Sequence, residues 1–110
     1  MFGKEDASAD ELRKLLWKAL DSSPFVMLGL IGVEDSRTRP MTVQIDRAEG
    51  ADTTEGGALY FVASRSEHLV EGLGTSHRAV ATYCSKGHDL FAHIHGTLAL
   101  DDDRAVTERL

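Results

Sequence analysis

The sequence predicts a mainly β domain of antiparallel strands with flanking helices, and three observations predict it. Five segments between residues 25 and 100 have strand length and are either apolar, rich in β-branched and aromatic residues, or alternating in polarity. Turn-forming clusters of Gly, Pro, Asp and Ser separate most of them. Helical spacing is confined to the two ends and to residues 68–73. At 110 residues the chain fits one domain, large enough to bury a core without disulfides.

The first element is a helix. Ser8 followed by Glu11 reads as a capping box, and Leu12, Leu15, Leu16, Ala19 and Leu20 recur on one apolar face. Trp17 lies off the centre of that stripe, at a seam, a partner or a half-exposed edge. Ser22, Ser23 and Pro24 stop the helix, because a proline ring disfavours helical geometry in the residue before it.

Residues 25–31 form a nearly continuous apolar run broken only by Gly29, which suits a strand covered on both faces, the second by a helix or another subunit. A turn at 34–37 leads to residues 39–48, where Met41, Val43 and Ile45 point one way and Thr42, Gln44 and Asp46 the other. These two strands make a plausible antiparallel pair. Pro40 cannot donate to a ladder, so it belongs at an edge or a strand start, with or without a flat ligand against the backbone left free. Residues 49–57 are acidic, polar and end in two glycines, the pattern of a mobile hairpin tip.

The centre of the chain is a strand at 58–63 that enters a helix at 68–73 through Ser64, Arg65 and Ser66. Two hydroxyls, a guanidinium fork and the free N–H groups of a helix start suit a phosphate monoester. Ser66 as a plain helix cap, with Glu67 in the first turn and Arg65 in solvent, satisfies the same pattern and is the commoner outcome. Gly72 and Gly74 superficially match a dinucleotide loop, but His77 stands at the third glycine position, so they end the helix.

Residues 78–85 and 90–100 read as two further strands around a turn at 86–89. On the last strand Ala92, Ile94, Leu98 and Leu100 share one side, and Phe91, His93, His95 and Thr97 the other. His93 and His95 with His88, Asp89 or Cys84 could in principle ligate zinc, yet histidines on the outer face of a half-buried strand are ordinary. Cys84 alternates with Thr82 and Val80 and reads as a small core residue rather than a nucleophile. Asp101, Asp102 and Asp103 open a final helix with Val106 and Leu110 a turn apart, which looks like a domain truncated or completed by another chain.

Net charge excludes one class of partner. At −6, with no cluster of Lys and Arg, the chain has no general nucleic-acid surface. No apolar run approaches the roughly 20 residues of a membrane helix, and no signal peptide precedes the first helix. One unpaired cysteine points to a reducing cytoplasm.

The order Arg39, Pro40, Met41, Thr42, then residues 59–66 and the helix to Gly72, then 78–85, then 91–110, resembles the general stress protein branch of the pyridoxamine 5′-phosphate oxidase-like proteins. The resemblance runs from Leu12 onward and implies a split β-barrel that dimerises and holds FMN at the subunit interface. It implies that Arg39, Pro40, Met41 and Thr42 lie along the isoalloxazine ring, and that Ser64, Arg65 and Ser66 hold the phosphate. His68 stands where the family often has a lysine reaching the phosphate, which implies an affinity that is weaker or varies with pH. Relatives also continue past the helix begun at Asp101 with a tryptophan-bearing segment and a last strand, so the resemblance implies an incomplete barrel, its edge open unless a dimer partner covers it. The expectations are then an FMN-dependent oxidoreductase of unknown substrate, a non-catalytic flavin-binding stress module, or a zinc-binding or structural dimer. No catalytic acid, base or nucleophile stands out.

Overall fold

A computed structural model describes residues 8–33, 37–63 and 68–101. The order is α1 (Ala9–Ser22), β1 (Phe25–Leu30), β2 (Arg39–Thr42), β3 (Gln44–Asp46), β4 (Ala58–Tyr60), α2 (His68–Leu73), β5 (Ser76–Cys84) and β6 (Phe91–Ala99). Most of the turn expected at 34–37 and nearly all of the helix expected over 101–110 lie outside the described residues.

The strands form two antiparallel sheets. One has four strands in the order β2-β1-β5-β6, and the other pairs β3 with β4. The anticipated pairing of β1 with β2 is present, with Met27 opposite Pro40 and Phe25 opposite Thr42. β2 has β1 on one side and, among the described residues, no strand on the other, which is where a residue without an N–H is tolerated.

Residues 39–48 are two strands rather than the single one expected. The break falls at Val43, whose N–H donates to the Pro24 carbonyl at 2.7 Å and whose side chain is buried. That bond turns the chain out of the ladder with β1, and β3 then joins the second sheet. Corners of this kind are how one strand direction serves two sheets.

The core lies on the side of the four-stranded sheet that carries Val26, Leu28 and Leu30 of β1 and Ala79, Ala81 and Tyr83 of β5. Ala92, Ile94 and Leu98 of β6 pack against the same cluster, as the alternation of β6 requires. Leu20 of α1 is fully buried there, with Leu16, Trp17 and Ala19 beside it. Leu12 and Leu15, expected on the same stripe, are exposed. The core contacts of α1 therefore come from its second half. Its capping box is formed as predicted: the Glu11 N–H donates to Ser8 Oγ at 3.1 Å, and the Ser8 N–H to Glu11 Oε1 at 3.4 Å. α2 ends at Gly74, which takes φ +64, the left-handed conformation that glycine reaches without cost.

The connection between β3 and β4 is tied down. Arg47 donates from Nε to the Glu55 carbonyl at 2.7 Å and from one terminal nitrogen to the Thr53 carbonyl at 3.0 Å. The other terminal nitrogen meets Asp21 of α1 at 3.1 Å. One guanidinium thus holds the whole loop against the first helix, and the Trp17 ring lies close enough to Gly56 that a Cβ there would strike it. Trp17 covers a seam inside the chain. Cys84 departs from expectation: it is exposed, opposite Phe91 on the outer side of the sheet. Its alternation with Thr82 and Val80 is real, but the core side of β5 is the other one, built from two alanines and a tyrosine. Tyr83 can be buried because its hydroxyl donates to the Ser23 carbonyl at 2.9 Å.

Two outcomes follow from these contacts. Arg47→Met keeps the apolar stem and removes three charge-assisted bonds, so it should cost about 1–3 kcal/mol in urea unfolding. Asp21→Asn, which weakens only a half-exposed ion pair, should cost under about 1 kcal/mol. Equal losses would mean that the ion pair, not the loop, is what Arg47 secures. Tyr83→Phe should cost about 0.5–1.5 kcal/mol at pH 7. Burial, and secondarily a thiolate at Cys84, push the Tyr83 hydroxyl above its ordinary value of 10.0. The folded state therefore holds that proton more firmly than the unfolded chain. Its contribution is intact below about pH 10 and is lost as pH rises through the folded value. The advantage over Tyr83→Phe should shrink in alkaline urea titrations, and a constant gap would contradict this.

Candidate functional site

The outward side of the four-stranded sheet carries large apolar side chains that no described element covers. Phe25 is 63% and Phe91 70% exposed, with Met27 between them at 40%. Side-chain alternation fixes this arrangement. Once Val26 and Leu28 face inward, Phe25 and Met27 must face outward, and the register places Phe91 beside Cys84 and His93 beside Thr82. The result is an open groove of about 420 Å³ lined by Phe25, Met27, Pro40, Thr82, Phe91 and His93, with Cys84 on its wall. It runs across roughly 14 Å of sheet, three strand spacings, from the free edge of β2 to β6.

Of the residues singled out in the sequence, Pro40 lines this groove and Thr42 shares its face, opposite Phe25. Arg39 and Met41 lie on the other side of β2, level with Leu28 and Val26. Met41 packs against the core, and Arg39 donates to the Arg37 carbonyl at 3.3 Å. A planar ring lying along β2 therefore cannot rest on all four side chains. It would meet the open backbone edge, with Pro40 and Thr42 on one side and Arg39 and Met41 on the other.

Ser64, Arg65 and Ser66 lie outside the described residues, between β4 and α2. His68 is the first residue of α2, as expected. Behind this corner α2 packs on β1, where a Cβ on Gly72 would come within 3.3 Å of the Leu30 side chain. The last turn of α2 is thus held against the core side of the sheet whose other side carries the groove.

His93 and His95 stand side by side on β6 with ring centroids 6.2 Å apart. Among the described residues no three His, Cys, Asp or Glu side chains gather in a way that could hold a metal ion. At the far end of the same hairpin, the turn after β5 is closed by Ser85. Its buried hydroxyl donates to Asp89 at 2.7 Å and accepts the Asp89 and Leu90 N–H groups, so Asp89 is engaged in the turn. Sequence reasoning did not find the groove. The spacing of Phe91 and His93 on one face was visible, but their relation to Pro40 depends on the order of the strands.

Residues 10–110 match the family described as pyridoxamine 5′-phosphate oxidase like, and the chain belongs to that family. The two open sheets joined at Val43 are accordingly the two parts of a split β-barrel. A crystal structure of a general stress family protein from Xanthomonas campestris pv. campestris shares 46% identity with a TM-score of 0.81, over 96% of this chain and 68% of that one. The general stress FMN/FAD binding protein of Xanthomonas citri shares 45% identity with a TM-score of 0.80, over 93% of this chain and 68% of that one. General stress protein 26 of Jannaschia sp. is 25% identical with a TM-score of 0.73, over 93% of this chain and 59% of that one. No curated protein matches the chain. No described helix is long and apolar enough to cross a membrane.

Proposed function

We propose that the protein is an FMN-binding homodimer of the general stress type, acting as a flavin-dependent oxidoreductase in the reducing cytoplasm. The observation that carries this reading is the free edge of β2 beside an uncovered apolar groove. It occurs in a chain 45% identical to a protein described as binding FMN or FAD. The groove volume lies in the range of small-molecule sites, and its lining is mostly apolar with few polar groups, as such sites require.

In this reading the ring lies along Arg39, Pro40, Met41 and Thr42, meeting backbone rather than a wall of side chains. Pro40 adds no donor there, so hydrogen bonds to the polar edge of the ring come from its neighbours. Ser64, Arg65 and Ser66 take the phosphate, with His68 at the start of α2 adding a charge that depends on pH. FMN rather than FAD fits a corner that ends on a phosphate monoester of charge about −1.5 to −2. Bound FMN supplies the redox chemistry, and the chain's own work is to bind, orient and shield it.

A second copy covers the remaining apolar face. Four strands, of which β5 and β6 reach nine residues, present a patch of at most about 19 by 30 Å, roughly 570 Å² per partner, the scale of a small interface. Charge favours a second copy as the occupant. None of the chain's 18 acidic residues lies in β1, β2, β5 or β6, so two molecules of net charge −6 meet here without opposing carboxylates. Exposed apolar patches free of charge at their centre are the usual signature of such contacts.

Arg65→Ala tests the phosphate role. It should weaken FMN binding by about 1.5–3 kcal/mol, the range for a hydrogen bond to a charged group, and riboflavin binding far less, in parallel fluorescence titrations. Equal losses for both ligands would remove Arg65 from the phosphate.

A further inference from the structure

The proposed dimer face carries two imidazoles, His93 on the wall of the groove and His95 beyond it. His93 and His95 both point outward from β6, with ring centroids 6.2 Å apart, both exposed and next along the strand from Phe91. Their cross-strand neighbours on β5 are Thr82 and Val80, neither of which can compensate a positive charge. The charged or titratable groups diagonal to them are Arg78, beside His95, and Cys84, beside His93. β1 contributes Phe25 and Met27 and β2 contributes Pro40 and Thr42 to this face, so no carboxylate answers the pair from any of the four strands. In a twofold contact each such group is presented twice, because the same patch serves both partners.

We infer that His93 and His95 make the dimer sensitive to acid, dissociating it as the imidazoles take up protons; this rests on the dimer reading above. With neutral imidazoles the face is apolar and polar without net charge apart from Arg78. With protonated ones, up to four added cations are confined between two faces that also hold an arginine each and to which none of the four strands brings a carboxylate. The contact therefore selects the neutral form. Affinity is full above the pH at which the free histidines titrate and falls as pH drops through it. An ordinary imidazole titrates near pH 6.5, so at pH 5.5 about ten of every eleven are protonated. If one histidine per protomer must be neutral in the contact, the dissociation constant rises by roughly 100-fold between pH 8 and pH 5.5. If both must be, the rise is on the order of 10⁴-fold.

Sedimentation equilibrium over a dilution series at pH 8 and pH 5.5 measures this directly, with circular dichroism at both values to show that the fold persists. The expected result is a wild-type dimer whose dissociation constant rises at least 100-fold on acidification, beside a His93→Gln/His95→Gln double variant whose constant changes less than about threefold. A wild-type dimer equally tight at both values would overturn the inference and leave the dimer standing. Equal weakening in the double variant would overturn the assignment to these two residues and move it to another group, such as His68. A monomer at pH 8 would remove the dimer reading itself, and this inference with it.

Discussion

The bend at Val43 is the constraint on which the rest of the structure depends. Its N–H donates to the Pro24 carbonyl and its side chain is buried, so the chain cannot continue along β1 and must enter a second sheet. Had residues 39–48 stayed one strand, β2 would be one end of a long regular ladder. Instead β2 is a four-residue strand with no neighbour on one side among the described residues, and β3 carries the chain into the hairpin that leads to β4. One backbone hydrogen bond thus sets both the end of β2 and the course of the chain into β3 and β4. Because the donor is a main-chain group, no substitution at Val43 except proline removes it, which makes the bend robust to sequence change.

The two faces of the four-stranded sheet divide the labour. The inner face spends its apolar residues on stability, with Leu20 of α1 and Leu73 of α2 completing the core. The outer face spends Phe25, Met27 and Phe91 on something outside the chain. Leaving three large apolar side chains in water is costly to solubility, and natural single domains seldom do so without a partner or a ligand. The absence of acidic residues from all four strands, in a chain that is otherwise acidic, says the same in electrostatic terms.

How far the sequence foretold this depends on the range of the interaction involved. Signals carried within a few residues were legible: the Ser8 and Glu11 capping box, Pro40 on an edge, the glycine that ends α2, and the two-sided pattern of β6. Signals that depend on who pairs with whom were not. The alternation of Met41, Val43 and Ile45 passes unbroken through the bend, because the period of two records which side a residue faces and not which sheet it joins. Cys84 lies on the unexpected side for a related reason: Val80 and Cys84 look at least as apolar as Ala79, Ala81 and Tyr83, yet the two alanines and the tyrosine face the core. Arg47 bridges to Asp21 across 26 positions, and no local pattern marks that contact. Family resemblance supplied the split barrel, which residue patterns alone could not distinguish from other antiparallel arrangements.

The central claim is that this fold holds FMN between two copies of the chain. Titrating the purified protein with FMN, following flavin fluorescence and the visible spectrum while measuring molecular mass in solution, tests it most directly. The account predicts saturation at one FMN per protomer on a species of twice the chain mass. A folded protein that leaves the flavin spectrum unchanged, or that saturates as a monomer, would contradict it.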